Sequence, residues 1–223
     1  MQIQEAVASR HSIRAFLPTP VDGEAIRRVL SAAARAPSGG NLQPWHIDVL
    51  AGDPLAALRA TLREKLSRGD EAEAAEYDIY PPSLRAPWRD RRFQVGEAMY
   101  ARLGIPREDK AARRRWFSRN FDFFGAPLAL FCSVDRSMGP PQWSDLGMYL
   151  QTVMLLLRGE GLDSCAQECW AIYPATVAGA IELPPERMLF CGMAIGHRDP
   201  AHAVNALVSE RAPADEWLRF RGA

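Results

Sequence analysis

Hydrophobic and polar residues follow two distinct periods along this chain. Apolar residues spaced by about three or four positions predict amphipathic helices, and short alternating or continuous apolar runs predict strands. The pattern predicts helices over 3–10, 22–37, 55–67 and 93–103, a basic helix ending near 124, and helices over 146–161 and 174–182. It predicts strands over 46–50, 127–134 and 188–195, and no element is assigned to the short apolar stretch after Gly161.

The most apolar of these helices is marked by Leu146, Leu150, Val153 and Leu157, which repeat at helical spacing. We expect it at the centre of the fold or at a dimer interface. The run at 127–134 is continuous rather than alternating, which indicates a strand covered on both faces.

The last segment, residues 197–223, shows little periodicity but carries several large apolar side chains. Trp217, Leu218 and Phe220 would be unfavourable in contact with water. We therefore expect this tail to wrap a partner subunit.

The middle of the chain, residues 68–124, is predicted to be an insertion or lid, because charged residues at 68–76 precede three prolines among aromatics at 77–92. One hypothesis is that arginines of this segment pair with a carboxylate on an acceptor substrate, since a guanidinium fork matches carboxylate geometry. The equally supported alternative is that they only solvate an exposed loop. These arginines are Arg85, Arg89, Arg91 and Arg92.

Composition narrows the function classes. The chain has 223 residues, 48% of them hydrophobic, which suffices for one domain with a substantial core. Its 27 Lys and Arg residues balance 27 Asp and Glu residues, which disfavours a dedicated nucleic-acid binder. No secretory signal is visible, and no apolar stretch approaches the ~20 residues that a spanning helix needs. We expect a cytoplasmic protein without a membrane partner, which binds a small molecule or a second copy of itself.

Cysteine and histidine positions do not predict a metal site. The four cysteines are expected to be free thiols, as is usual inside cells. A metal or redox pair of Cys165 and Cys169 is disfavoured, because no second pair of cysteines or histidines lies at zinc spacing. His197 and His202 do not align on one helix face and are interpreted as a chance surface pair.

The first motif with chemical content is Arg10-His11-Ser12-Ile13-Arg14. Two guanidinium groups and a hydroxyl within one short segment suit a phosphate. Taken alone, the motif is more typical of a solvated basic helix end, which the helix dipole favours.

The second motif runs from Pro37 to Trp45. Two glycines permit close approach of the backbone, while Asn41 and Gln43 supply amide donors and acceptors beside an aromatic ring. Such a segment suits a planar heterocycle with polar edges, although a helix-terminating loop is the simpler alternative.

In these two motifs and in their spacing, the sequence resembles the FMN-dependent nitroreductase family. Further matches follow in order along nearly the whole chain, and the middle stretch most resembles the nitrobenzoate-reductase branch. The motifs that carry the resemblance are Arg10-x-Ser12-x-Arg14, Pro37-Ser38-x-x-Asn41-x-Gln43-Pro44-Trp45, Asp145-Leu146-Gly147-Met148, residues 161–168, residues 192–196 and Arg211-Ala212-Pro213, with Tyr80-Pro81-Pro82, Asn120 and residues 123–127 in the middle stretch.

The resemblance implies an α+β sandwich with a central, mainly antiparallel sheet flanked by helices, in an intertwined homodimer with two FMN sites. It also implies ping-pong reduction of nitroaromatic or similar electron-poor acceptors, with NADH or NADPH as electron donor. Reductive dehalogenation or reduction of activated alkenes on the same fold stays open, as does flavin binding without turnover. The natural acceptor and the preferred nucleotide are not set by the sequence.

The resemblance assigns residues to the cofactor by position. It places Arg10 and Ser12 at the FMN phosphate and ribityl chain, Arg211 at the phosphate from the tail, and Arg14 near flavin N1, where a cation stabilises negative charge on the reduced ring. It also places the following residues in the cofactor site: His11, Asn120, Asp145 and Gln167.

Two further groups are assigned to the flavin ring in the same way. The resemblance lays the partner subunit's loop of Pro37, Ser38, Gly39 and Asn41 against the ring, and it brings the backbone of Glu168 and Cys169 to flavin N5. No side chain is implied as an obligatory acid or base. The chain departs from the family at Ser209, where a lysine is common, and at Cys169, where many relatives have glycine.

Overall fold

Seven α-helices and four β-strands make up the computed structural model, which describes residues 1–222. The helices are α1 (Ile3–Ser9), α2 (Gly23–Ala33), α3 (Gly52–Arg68), α4 (Trp88–Arg102), α5 (Lys110–Ser118), α6 (Pro140–Gly159) and α7 (Pro174–Ile181). The strands are β1 (His46–Ala51), β2 (Leu128–Asp135), β3 (Asp163–Gln167) and β4 (Arg187–Gly196).

The four strands form one sheet in the order β1-β2-β4-β3, and every neighbouring pair is antiparallel. Helices cover both faces, so the α+β class and the antiparallel sheet are confirmed. The single chain does not test the predicted dimer, which stays a prediction.

The core lies on both sides of β2, as its continuous apolar run predicted. Ala129 and Phe131 face one cluster of buried side chains, and Leu130 and Cys132 face the other, because successive strand residues point to opposite faces. The strand is therefore buried throughout, apart from its last residue.

Helix α6 packs against the second of these clusters. Leu146, Leu150, Val153 and Leu157 are each at most 5% exposed within the single chain. Of the two expected places, the centre of the fold is the one observed, because α2 and the sheet cover this stripe within the single chain.

Two glycines of β4 are required by close packing. A Cβ on Gly192 would lie 2.5 Å from Cδ1 of Trp170, and one on Gly196 would lie 2.7 Å from Cδ of Pro127. Both distances are too short for real contacts, so glycine lets these bulky rings pack directly on the strand backbone.

The chain between α5 and β2 differs from the prediction. The basic helix ends at Ser118 instead of near 124, and residues 119–125 form a 3-10 turn in which Phe123 and Phe124 adopt left-handed backbone angles. Their rings are fully buried, and Phe123 stacks on Trp170 with ring centroids 4.6 Å apart. The end of the expected 68–124 insertion is thus part of the core, because tertiary packing outweighs local helical preference.

The tail after β4 contains two short 3-10 turns, Ala203–Ala206 and Ala214–Glu216. Trp217, Leu218 and Phe220 are 69%, 41% and 78% exposed in the single chain. Among the helices of the described chain, none has both the length and the apolar character needed to cross a membrane.

Candidate functional site

Residues 10–15 leave α1 as an extended segment beside the sheet. The Ile13 N–H donates to the Ser164 carbonyl over 3.1 Å, and Ser12 pairs with Ser164 in a parallel bridge. Ile13 and Ala15 are buried, so alternation turns the side chains of Arg10, Ser12 and Arg14 away from the core. The three polar side chains therefore leave the segment on its outer side.

The tail returns to this segment through Asn205. Its Oδ1 accepts from the Arg14 N–H over 2.9 Å, and its Nδ2 donates to the carbonyls of Ala15 and Asp199 over 2.8 and 2.9 Å. The chain beyond Asn205 is thereby held next to Arg14.

A cavity of about 330 Å³ lies between this segment and the tail. Arg10, His11, Ser12, Arg14 and Arg211 all line it, so the structure brings together these predicted phosphate-site residues from opposite ends of the chain. The cavity is completed by Val7, Ala8, Val95, Leu207, Val208 and Ser209.

The three guanidinium groups of this cavity lack acidic partners among the described residues. Within residues 1–222, no carboxylate lies within salt-bridge distance of Arg10, Arg14 or Arg211. Arg14 donates to the Ser12 carbonyl over 3.2 Å, and Arg211 donates to Ser209 Oγ over 2.7 Å. Like charges at a concave surface without counterions repel one another and attract an anion. The arrangement is therefore suited to a phosphate.

Ser209 replaces the lysine that the family resemblance leads one to expect. Its hydroxyl and its carbonyl both accept from Nη1 of Arg211, at 2.7 and 3.0 Å. The residue removes one cation from the cavity and orients another. The greater dependence on Arg10 and Arg211 that this substitution implies stays a prediction.

A larger groove of about 570 Å³ continues from the cavity between α4 and the tail. Arg91 of α4 forms an ion pair with Glu216 of the tail across it. Two more of the proposed lid arginines have partners, since Arg89 pairs with Asp90 over 2.9 Å and the Arg92 guanidinium lies 4.2 Å from the centre of the Tyr80 ring. Of the four, only Arg85 lacks such a side-chain partner within the described chain.

The Pro37–Asn41 loop does not line this cavity in its own chain. Both carboxylate oxygens of Asp145 accept from the Gly39 N–H, at 3.3 and 3.2 Å. Gly40 and Asn41 have positive φ angles of 56° and 58°, as a tight turn requires, and Ser38 Oγ accepts from the Gln43 N–H over 3.0 Å. The loop is thus held in one shape, with Pro37, Gly39 and Asn41 exposed on the surface.

Asp145 of α6 contacts the Pro37–Asn41 loop from inside the fold. It is buried, and its carboxylate accepts a hydrogen bond from the Gly39 N–H. This contact helps to shape the loop, and the expected place of Asp145 in the cofactor site stays a prediction.

The side chains of Asn120 and Gln167 bind each other. Nε2 of Gln167 donates to the Asn120 carbonyl over 2.8 Å and lies 3.3 Å from its Oδ1, while Asn120 Nδ2 donates to the Phe117 carbonyl. Neither residue lines the cation-lined cavity. The Oε1 atom of Gln167 is buried without a hydrogen-bond partner among the described residues, which leaves one acceptor available.

Glu168 and Cys169 begin a 3-10 turn directly after β3. Burial raises the pKa of the Cys169 thiol and of the Glu168 carboxyl. Burial also raises the pKa of Cys165, and the positive charges of Arg14 and Arg10 oppose that rise only in part. Thiols with a raised pKa stay protonated at neutral pH and are poor nucleophiles and metal ligands.

Sequence reasoning missed Asn205 and the buried Asp163. Asp163 accepts from Arg158 over 2.8 Å and from Arg198, and Arg158 also donates to Ser9 Oγ over 3.3 Å, directly before Arg10. A lone asparagine in an apolar stretch is a weak signal, and nothing in the sequence identifies its distant partners.

Comparison with known proteins adds the family. A sequence model of the family described as "Nitroreductase family" matches residues 7–197 of this chain. The chain is 37% identical over 216 residues to 4-nitrobenzoate reductase of Pseudomonas putida, covering 97% of this chain and 94% of that one. It is 33% identical over 222 residues to nitrobenzene nitroreductase of Ectopseudomonas oleovorans, with 98% and 96% covered. The crystal structure of the FMN- and NADPH-dependent nitroreductase NfnB from Sphigopyxis sp. strain HMH superimposes with a TM-score of 0.97 at 48% identity, over 100% of both chains.

Proposed function

Because this chain belongs to the nitroreductase family, we propose that it is an FMN-dependent oxidoreductase that takes electrons from NADPH or NADH and reduces nitroaromatic compounds. The observation that carries the proposal is the cavity in which Arg10, Arg14 and Arg211 meet without a carboxylate partner among residues 1–222. The relatives named for nitroaromatic substrates, and the FMN- and NADPH-dependent structure, support the same conclusion.

The residues of the cavity fit the phosphate end of FMN. Arg10 and Arg211 approach from opposite ends of the chain, and Ser12 adds a hydroxyl donor between them. Guanidinium groups hold phosphate through charge-assisted hydrogen bonds, which are about twice as strong as neutral ones. These residues would therefore hold the phosphate, and Arg14 lies on the same wall, where its charge favours electrons on a neighbouring ring.

The protein contributes binding, orientation and electrostatics, while FMN, when bound, supplies the transfer of electrons from nucleotide to acceptor. Two hydrogen bonds hold Arg14 in position. Its backbone N–H donates to Asn205, and its guanidinium donates to the Ser12 carbonyl. No carboxyl or thiol of the site is needed as an acid or base.

The proposed functional unit is a homodimer. In the single chain, the loop of Pro37, Ser38, Gly39 and Asn41 lies away from the cation-lined cavity, is held by hydrogen bonds and is largely exposed. The exposed aromatic residues of the tail need a cover, which a second copy supplies. In this arrangement, each site takes its phosphate contacts from one subunit and its ring-facing loop from the other.

A single-turnover experiment tests the proposal. The purified protein is expected to be yellow with one FMN per chain, to lose its colour when NADPH is added without oxygen, and to regain it with 4-nitrobenzoate. Colourless protein that takes up no FMN contradicts the proposal. Colour that returns only with a halogenated aromatic or an activated alkene rejects the nitroaromatic assignment, and very slow bleaching by both nucleotides points to flavin binding without turnover.

A further inference from the structure

We propose that Asn205 is a positioning residue that sets the distance between the two halves of the cation-lined cavity. The inference rests on the proposed function, because it concerns how this chain binds the FMN phosphate. One half of the cavity is the segment Arg10–Arg14, and the other is the tail that carries Ser209 and Arg211.

The side-chain amide of Asn205 forms hydrogen bonds only with backbone groups. It is 8% exposed, both of its N–H donors are used, and its oxygen accepts one hydrogen bond. Two of the three contacts reach the segment with Arg14 and Ala15, and the third reaches Asp199 at the start of the tail. One side chain therefore joins two segments that are far apart in the sequence, and each of these segments continues into the cavity wall, at Arg14 on one side and at Leu207 on the other.

Other contacts attach the tail before and after this point, but not at the cavity. Leu17 donates to the His197 carbonyl over 2.9 Å, and Asp199 donates to the Ala15 carbonyl over 3.0 Å. Farther along the tail, Glu216 pairs with Arg91 on the surface. Between Asp199 and Glu216, Asn205 is the residue of the described tail that forms a hydrogen bond with Arg14.

Loss of this amide is expected to move Arg211 relative to Arg10 without unfolding the domain. Hydrogen bonds to a phosphate weaken steeply when the donor moves by a fraction of its normal distance. We expect Asn205→Ala to weaken FMN binding about tenfold, the size of one good charge-assisted contact. Riboflavin has the same ring and no phosphate, so its dissociation constant should change less than about twofold.

The test measures dissociation constants of FMN and riboflavin for the flavin-free protein, by the change in flavin fluorescence. Four proteins form a double-mutant cycle: the parent, Asn205→Ala, Arg211→Ala and the double variant. Glu216→Gln is the matched control, since it removes the negative charge of an ion pair on the same tail, in the neighbouring groove and outside the cavity. Thermal unfolding is recorded for each protein.

The proposal predicts a lower preference for FMN over riboflavin in Asn205→Ala, no change in Glu216→Gln, and non-additive effects of Asn205→Ala and Arg211→Ala. Equal weakening of both ligands, an unchanged preference, or additive effects overturns it. If the alanine variant does not fold, Asn205→Ser is judged by the same criteria. A parent protein that does not bind FMN rejects the proposed function instead, which separates the two failures.

Discussion

Two groups of arginines on this protein differ in whether their guanidinium groups have a carboxylate partner. In the cation-lined cavity, Arg10, Arg14 and Arg211 have no carboxylate partner within residues 1–222. Along α4, by contrast, Arg89 pairs with Asp90 and Arg91 pairs with Glu216. The chain as a whole has no net charge, with 27 basic and 27 acidic residues, so three arginines that line one cavity are a local concentration of positive charge. Arginines without carboxylate partners at a concave surface indicate an anion site. Arginines that are already paired with a carboxylate hold parts of the protein together and are not expected to bind an anion.

A third arrangement lies inside the fold. Asp163 is 3% exposed and is shared by Arg158 and Arg198, which are themselves largely covered. Arg158 and Arg198 also contact Ser9, so this cluster supports the end of α1 from which Arg10 departs. Here the charges are paired because burial makes an unpaired charge very unfavourable.

The largest effect is expected for Asp163→Asn, which leaves two mostly buried arginines without their shared carboxylate. We expect a loss of about 3 kcal/mol in the free energy of unfolding, measured by urea denaturation. The control is Asp90→Asn, which removes the carboxylate of an exposed pair and should cost less than about 1 kcal/mol. Equal losses in the two variants would show that burial does not distinguish these pairs.

The next effect concerns the cavity itself. Arg10→Ala is expected to weaken FMN binding by about 1.5–3 kcal/mol, because it removes a charge-assisted phosphate contact. Arg89→Ala, a paired arginine on α4, should leave the FMN dissociation constant unchanged. An unchanged constant in Arg10→Ala rejects this residue as a ligand.

A smaller effect is expected where α4 meets the tail. Arg91→Ala breaks an exposed ion pair with Glu216, so the free energy of unfolding should fall by less than about 1 kcal/mol. FMN affinity should stay within about twofold of the parent, since the pair lies outside the phosphate contacts. A loss of FMN binding as large as that of Arg10→Ala would remove the distinction between the two groups of arginines.

The smallest effect concerns the acceptor. Arg85 is the one proposed lid arginine without a side-chain partner in the described chain, which makes it the candidate for pairing with a substrate carboxylate. If it does so, Arg85→Ala lowers kcat/KM for 4-nitrobenzoate by about two- to threefold and leaves that for nitrobenzene nearly unchanged. Equal changes with both acceptors exclude Arg85 from this specificity, and the absence of any preference in the parent excludes the whole lid.

Local patterns predicted most of the fold. Strand β2 and helix α6 were predicted correctly because their buried positions carry apolar residues, and the spacing of these residues is visible in the sequence. Strand β3 was missed because Asp163, Ser164 and Gln167 are polar and yet buried. Their burial depends on partners such as Arg198, which only the tertiary structure brings near.

The site was predicted in part for the same reason. The residues around Arg10 and Arg211 were found through family motifs, and the family assignment is confirmed. Asp145 belongs to a motif as well, but its hydrogen bonds to Gly39 give it a supporting place that a motif does not reveal. Asn205 carries no local signal, because its partners Arg14 and Ala15 lie at the other end of the chain.

The central claim is that the cavity between Arg10 and Arg211 recognises a phosphate. Side-by-side titration of the flavin-free parent protein with FMN and riboflavin tests this most directly, because the two ligands share one ring system and differ at the phosphate. Two charge-assisted contacts predict that FMN binds at least about 100-fold more tightly than riboflavin. Equal affinities would contradict the account, since the unpaired arginines would then have no part in binding the cofactor.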